Sequence, residues 1–213
     1  MKSSVIASYF LFVASVLAAP TATQQLTARN ATEVTQHLSS PTQTVFPSLQ
    51  VRWKSKEPGK LAKNDRIGHL LTTPSEEVHT AVYFNLPQEA YGKTCKLVFR
   101  QSINDGVVNI ADSSAPAMFD IYRLNGCLNE GYSFNTSLPR GVKAGILTAH
   151  KGGLADWQSV DMRGDYTYPK MGAAPTFSCQ AGGEYSFEMI AHSGVNLGWV
   201  SGHGSGLAIE MCG

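Results

Sequence analysis

The stretch CKLVFRQS, Cys95 to Ser102, sets Cys95, Leu97 and Phe99 on one parity and Lys96, Val98 and Arg100 on the other. Successive side chains of an extended chain point to opposite faces, so this alternation predicts a half-buried β-strand. The same period recurs in EYSFEMIA, where Tyr185, Phe187 and Met189 oppose Glu184, Ser186 and Glu188, and in LAIEMC, where Leu207, Ile209 and Met211 share a face. Further strand candidates are VRWKS, HTAVYFNL, MFDIYRL, AGILTAH, DWQSVDM, TFSC and NLGWVS. Turn signals such as Asn104-Asp105-Gly106, Pro139-Arg140-Gly141, Lys151-Gly152-Gly153 and Ala181-Gly182-Gly183 separate them, and no segment holds a helical period. Many short strands at near-regular spacing predict an all-β domain, an antiparallel β-sandwich of jelly-roll-like form. The absence of an internal repeat disfavours a propeller or a solenoid.

Upstream of this domain, MKSSVIASYFLFVASVLAA carries Lys2 and then an apolar run from Val5 to Leu17. The run is shorter than the roughly 20 apolar residues of a membrane span. It ends in small residues, with Val16 and Ala18 where a signal peptidase checks, so residues 1–18 read as a signal peptide cut after Ala18. Residues 19–48 are rich in Thr, Ser, Gln and Pro and poor in large apolar groups. Such a segment buries too little surface to offset its ordering entropy and reads as flexible, with hydroxyls that could carry O-linked sugar. Residues 49–213 remain for the sandwich, enough for one core. No later stretch is apolar for long enough to span a bilayer, and the closing AIEMCG lacks the tail of a glycolipid-anchor signal, so no membrane anchor is expected in the mature chain.

Loss of the leader removes Lys2 and no acid, which leaves 17 − 1 = 16 Lys and Arg against 16 Asp and Glu. A mature chain of formal charge zero offers no basic footprint for phosphates, which argues against nucleic acid as a partner. Cys95, Cys127, Cys179 and Cys212 form an even set without a CxxC pair, which in a secreted chain predicts two disulfides. Parity puts Cys95 with Leu97 and Phe99, and Cys179 with Phe177, on inward faces, whereas Cys212 has the parity opposite to Ile209 and Met211. The pairing Cys95–Cys179 with Cys127–Cys212 is the expected one, although three connectivities are open to four cysteines. The sequons at Asn30 and Asn135 would be glycosylated on a secretory route and therefore lie at the surface.

The catalytic motifs that the chain invites fail on spacing. In SGHGSG, Ser201 to Gly206, neither serine has glycines two residues to each side, and a strand, not a helix, follows. A nucleophile elbow requires both features, so the stretch reads as a turn. The six histidines show no HExxH and no close ligand spacing; His192 and His203 meeting across a last hairpin would be the one conceivable metal pair. No metal and no other cofactor is expected. Glycoside hydrolysis needs two carboxylates roughly 5–10 Å apart across a cleft. Glu188 and Glu210 sit on strands, and Asp156, Asp161 and Asp165 crowd one stretch, but the two glutamates have the outward parity expected of solubilising charges. No catalytic residue is assigned. Trp157, Tyr166 and Tyr168 lie among polar residues in ADWQSVDMRGDYTYP, where exposed rings would form a platform for sugar or for a protein partner. The alternative is that these rings cover the open edge of the sandwich.

The order of HTAVYFNLPQEAYGKTCKLVF, MFDIYRL, FSCQAGGEYSFEM and the terminal LAIEM resembles the fungal But-two C-terminal domain family, over about residues 78 to 212. The resemblance implies an all-β, secreted or wall-associated fungal protein and supplies no catalytic residues to carry across. The family takes its name from a ubiquitin-three-binding protein with an intracellular partner, which conflicts with the leader here, so that role is not transferred. Against the family's usual pair, Cys127 and Cys212 look like additions. These readings together predict a secreted, non-enzymatic binding protein, wall-associated or effector-like, whose partner is a cell-wall polysaccharide or an extracellular protein. The alternatives are a secreted carboxylate-dependent hydrolase and a protein–protein interaction module.

Overall fold

The alternating stretches are strands in the computed structural model, which describes residues 43–64, 66–103, 117–158, 173–201 and 204–213. In chain order they are β1 (Gln43–Val45), β2 (Leu49–Lys54), β3 (Lys63–Asn64), β4 (Ile67–Thr73), β5 (Glu76–Asn85), β6 (Thr94–Arg100), β7 (Ala117–Leu124), β8 (Arg140–Ala149), β9 (Asp156–Gln158), β10 (Thr176–Ser178), β11 (Glu184–Ala191), β12 (Asn196–Val200) and β13 (Gly206–Cys212). A single turn of 3-10 helix, Gln88–Ala90, links β5 to β6. Every pairing between these strands is antiparallel.

Two sheets pack face to face as a sandwich. One has four strands in the order β1-β13-β6-β10; the other has nine, running β12-β4-β5-β11-β7-β8-β9 with β2 and β3 added beside β5. Register follows parity: Cys95, Leu97 and Phe99 of β6 stand opposite Met211, Ile209 and Leu207 of β13, and all six are buried. From the facing sheet, Phe119, Ile121, Phe187 and Met189 complete the inter-sheet core. Phe99 reaches across to Phe119 and Trp199, with ring centroids at 5.0 and 5.2 Å in edge-on geometry, the arrangement ring quadrupoles favour.

Strands β1, β3 and β4 were not among the sequence candidates. The β4 stretch IGHLLTT carries a glycine and does not alternate, and the reason is steric: Gly68 faces Trp199 in the neighbouring strand, where a Cβ would overlap the indole. The sheet also starts earlier than the boundary expected at residue 49, since β1 pairs with β13 from Gln43↔Met211 to Val45↔Ile209. Of DWQSVDM, Asp156–Gln158 forms β9 and residues 159–162 lie outside the described residues.

The expected bridge between Cys95 and Cys179 is present, with both residues buried. The expected Cys127–Cys212 bridge is corrected by the structure, where both are free. Cys127 follows β7 of the nine-stranded sheet, whereas Cys212 ends β13 of the four-stranded sheet opposite Thr94, with outward parity. The sandwich therefore separates two thiols that the count alone had paired.

A second apolar cluster lies on the outer face of the nine-stranded sheet. Val51, Trp53, Ala62, Ala81, Leu124 and Leu128 are buried there beneath Tyr132, Phe134 and Leu138. Two connections supply the cover, and they hold each other: the Ala62 amide donates to the Tyr132 carbonyl at 2.6 Å and the Asn135 amide to the Pro58 carbonyl at 3.1 Å.

Candidate functional site

Strand parity places Glu188 on the outer face of β11, but the covering loop makes that face an interior. Glu188 is 1 % exposed, which corrects the expectation of a solvated charge. Its Oε1 lies 2.8 Å from His79 Nδ1, and Arg140 donates from Nε to Oε2 at 2.6 Å and from Nη2 to Oε1 at 3.2 Å. Burial pushes the Glu188 carboxyl up, yet the hydrogen bonds from His79 and Arg140 outweigh it and hold the group below the ordinary carboxylate range. The His79 ring packs 5.2 Å from that of Phe134. Glu77 Oε2 stands 3.3 Å from Nε2, close but off the hydrogen-bonding direction, so that nitrogen makes no hydrogen bond. Glu188 and His79 are buried while the Arg140 side chain reaches the surface at 44 % exposure, and both carboxylate oxygens of Glu188 are engaged, a geometry that fastens the loop.

Glu210, likewise expected to be solvated, is 7 % exposed on the outer face of the four-stranded sheet. It pairs with Arg100 and, at 3.5 Å, with Lys96. Glu188 and Glu210 thus point away from each other through both layers, beyond the spacing of about 10 Å between packed sheets. They do not form a hydrolytic pair. Asp156 is exposed and pairs with His150 at 2.8 Å, while Asp161 and Asp165 lie outside the described residues. Among the described residues no group of three His, Cys, Asp or Glu side chains could hold a metal ion. His192 contacts Asp120 at 2.7 Å, and His203 is outside the described residues. Asp120 is also raised by burial, and its bonds to Lys143 and His192 bring it below its ordinary value.

The aromatic platform is corrected for the one ring that can be placed. Trp157 pairs with Leu147 at the β8–β9 edge and faces the inter-sheet core at 3 % exposure, because an edge strand needs an apolar plug where the sandwich would otherwise open. Tyr166 and Tyr168 lie outside the described residues, as does Asn30, whereas Asn135 is exposed. The serines of SGHGSG serve structure. Ser201 Oγ donates to Gln50 Oε1 at 2.6 Å, and Ser205 Oγ accepts the Ser102 amide at 2.7 Å. Gly204 and Gly206 take φ of 90° and 100°, as a turn requires. That turn joins strands of different sheets and is not the hairpin expected from sequence.

An exposed concavity with mixed chemistry lies among the described residues, and of its lining only Ser201 was singled out from sequence, as a turn residue. A hollow of about 470 Å3 is lined by Phe46, Pro47 and Ser48 of the β1–β2 link, Gln50 of β2, Asn64 of β3, Arg66 before β4 and Ser201 after β12. Phe46 is 42 % exposed. Ser201 builds the floor: its hydroxyl holds the buried Gln50, and its amide donates to the Arg66 carbonyl at 2.7 Å. Among the described residues no side chain engages the Arg66 guanidinium. A sequence signal that could have pointed here is Phe46, a lone large ring in a Thr- and Pro-rich stretch.

A family profile described as the ubiquitin 3 binding protein But2 C-terminal domain matches residues 45–202. The chain belongs to the But2 C-terminal domain family. The match starts at the last residue of β1 and ends just beyond β12, so it takes in the hollow-lining residues, the nine-stranded sheet and strands β6 and β10, and leaves β13 outside. No curated protein sequence matches the chain. The family description speaks of a binding protein, and the But2 domain here presents an open hollow, while Glu188 and Glu210 are held in ion pairs elsewhere.

Proposed function

We propose that this But2 domain is a secreted, non-enzymatic binding module that works at the cell surface or in the wall, glycosylated at Asn135. The observation that supports this most is the buried Cys95–Cys179 bond, since structural disulfides persist in oxidising compartments, to which a leader such as residues 1–18 would direct the chain. Binding in place of catalysis is supported by Glu188 and Glu210, which face opposite ways and are each held by cations. The test is expression of the full chain in a secreting host. Recovery from the medium or wall fraction is expected, without residues 1–18, with Cys95 and Cys179 resistant to alkylation and with mass lost on N-glycan removal. A chain that stays inside the cell with both cysteines alkylated would sink the proposal.

A further inference from the structure

Resting on the binding-module reading, the inference concerns which surface binds and what it takes. We infer that the hollow between Phe46, Arg66 and Ser201 is a saccharide site selective for a sugar that carries a carboxylate.

The lining is divided by chemistry. Arg66 offers a guanidinium that no described side chain occupies, and its planar fork matches a carboxylate with two parallel hydrogen bonds. Asn64 presents an amide, and the Ser48 and Ser201 hydroxyls, whose protons go to the Tyr83 carbonyl and to Gln50, can still accept hydrogen bonds from ring hydroxyls. Phe46 adds a ring that keeps 42 % of its surface in water although the inter-sheet core lies close by. A half-exposed ring beside polar groups suits the apolar C–H face of a pyranose. The volume, about 470 Å3, lies within the roughly 300–1,000 Å3 of small-ligand sites.

The site is also built in advance. Gln50 is 5 % exposed and fixed by Ser201, and the Ser201 amide fixes the backbone at Arg66, so three lining residues are positioned before any ligand arrives. Pre-organised polar groups lose less entropy on binding than mobile ones. By contrast, the hollow of about 270 Å3 next to Trp157 is walled mainly by apolar groups, Val98, Phe99, Leu154 and Ala174 among them, and has Lys96 and Asp156 as opposed charges at its rim. It presents no unopposed cation for an acid.

The experiment is calorimetric titration of the purified full chain with digalacturonic acid, with cellobiose as a neutral sugar and with an N-acetylated dipeptide bearing a free carboxylate. Digalacturonic acid should bind and the other two should not. Arg66→Gln should weaken that binding about 10- to 100-fold, the range of one charge-assisted contact. Phe46→Leu, which keeps bulk and removes the aromatic face, should weaken it less, and both variants should melt with the parent. Absence of binding to digalacturonic acid, equal binding of cellobiose, preference for the dipeptide, or indifference to Arg66→Gln would each overturn the site. If the site fails while the secreted chain is still recovered in the wall fraction, the module reading survives and the hollow alone is rejected. A chain that is not secreted removes the module reading whatever the titration gives.

Discussion

Phe187-Glu188-Met189 on β11 and Ile209-Glu210-Met211 on β13 are nearly the same local sequence, an acid between two inward apolar residues, yet the two acids live differently. Glu188 is sealed with His79 beneath the loop that carries Phe134. Glu210 faces Lys96 and Arg100, whose side chains are 35 % and 43 % exposed. Parity sends both outward; what waits outside depends on chain that is far away in sequence. The nine-stranded sheet has its outer layer tied down by a buried ionic group, whereas the four-stranded sheet is tied by a covalent bond at Cys95.

The largest way to break this contrast is to cut the covalent tie. Replacing Cys95 and Cys179 together by Ser frees a loop closed over 84 residues, which should cost about 4–5 kcal/mol in the chain-entropy view. Urea unfolding measures it, and a loss below that of the Glu188 variant would reverse the ranking of the two ties. Trp157→Ala tests the seam between the sheets: removing a buried indole should cost about 4 kcal/mol, read by thermal denaturation, and a variant that melts with the parent would mean that the ring does not plug the edge. Glu188→Ala leaves His79 and Arg140 uncompensated and should cost about 3 kcal/mol, or a fall of about 6–12 °C in Tm for a domain of this size.

The Glu188 cluster should also show in acid. Its carboxyl ionises more readily in the folded chain than in the unfolded one, where the ordinary value is 4.5. Its contribution is therefore complete above pH 4.5 and is lost as pH falls through the lower folded value. Glu188→Gln should flatten that part of the stability–pH curve, and parallel curves for parent and variant would remove the ion pair from the explanation. The smallest effect belongs to Glu210→Ala, about 1 kcal/mol, because both its partners remain partly in water, whereas Glu188 has the buried His79 beside the equally exposed Arg140. Equal losses at Glu188 and Glu210 would show that the covering loop makes no energetic difference.

Much of the fold was legible because parity is a local property. CKLVFRQS, EYSFEMIA and LAIEMC became β6, β11 and β13 with the faces they announced, and the inward parity of Cys95 and Cys179 matched their bond. Strand β4 was missed where Gly68 interrupts the pattern to admit Trp199. The candidate hollow was hardly legible at all. Phe46, Asn64, Arg66 and Ser201 come from four separate connections or strand ends, and no spacing rule joins them.

By itself the sequence determined the all-β class, the facing of the strands and the inward parity of Cys95 and Cys179, since each follows from the alternation of side chains along an extended chain. Only the tertiary structure decided that Glu188 would be buried, that Trp157 would plug an edge, that Cys127 and Cys212 would stay apart and that Arg66 would meet Phe46 across a hollow. Those outcomes depend on which sheet a strand joins and which loop folds over it, and contacts between distant segments leave no period in the chain.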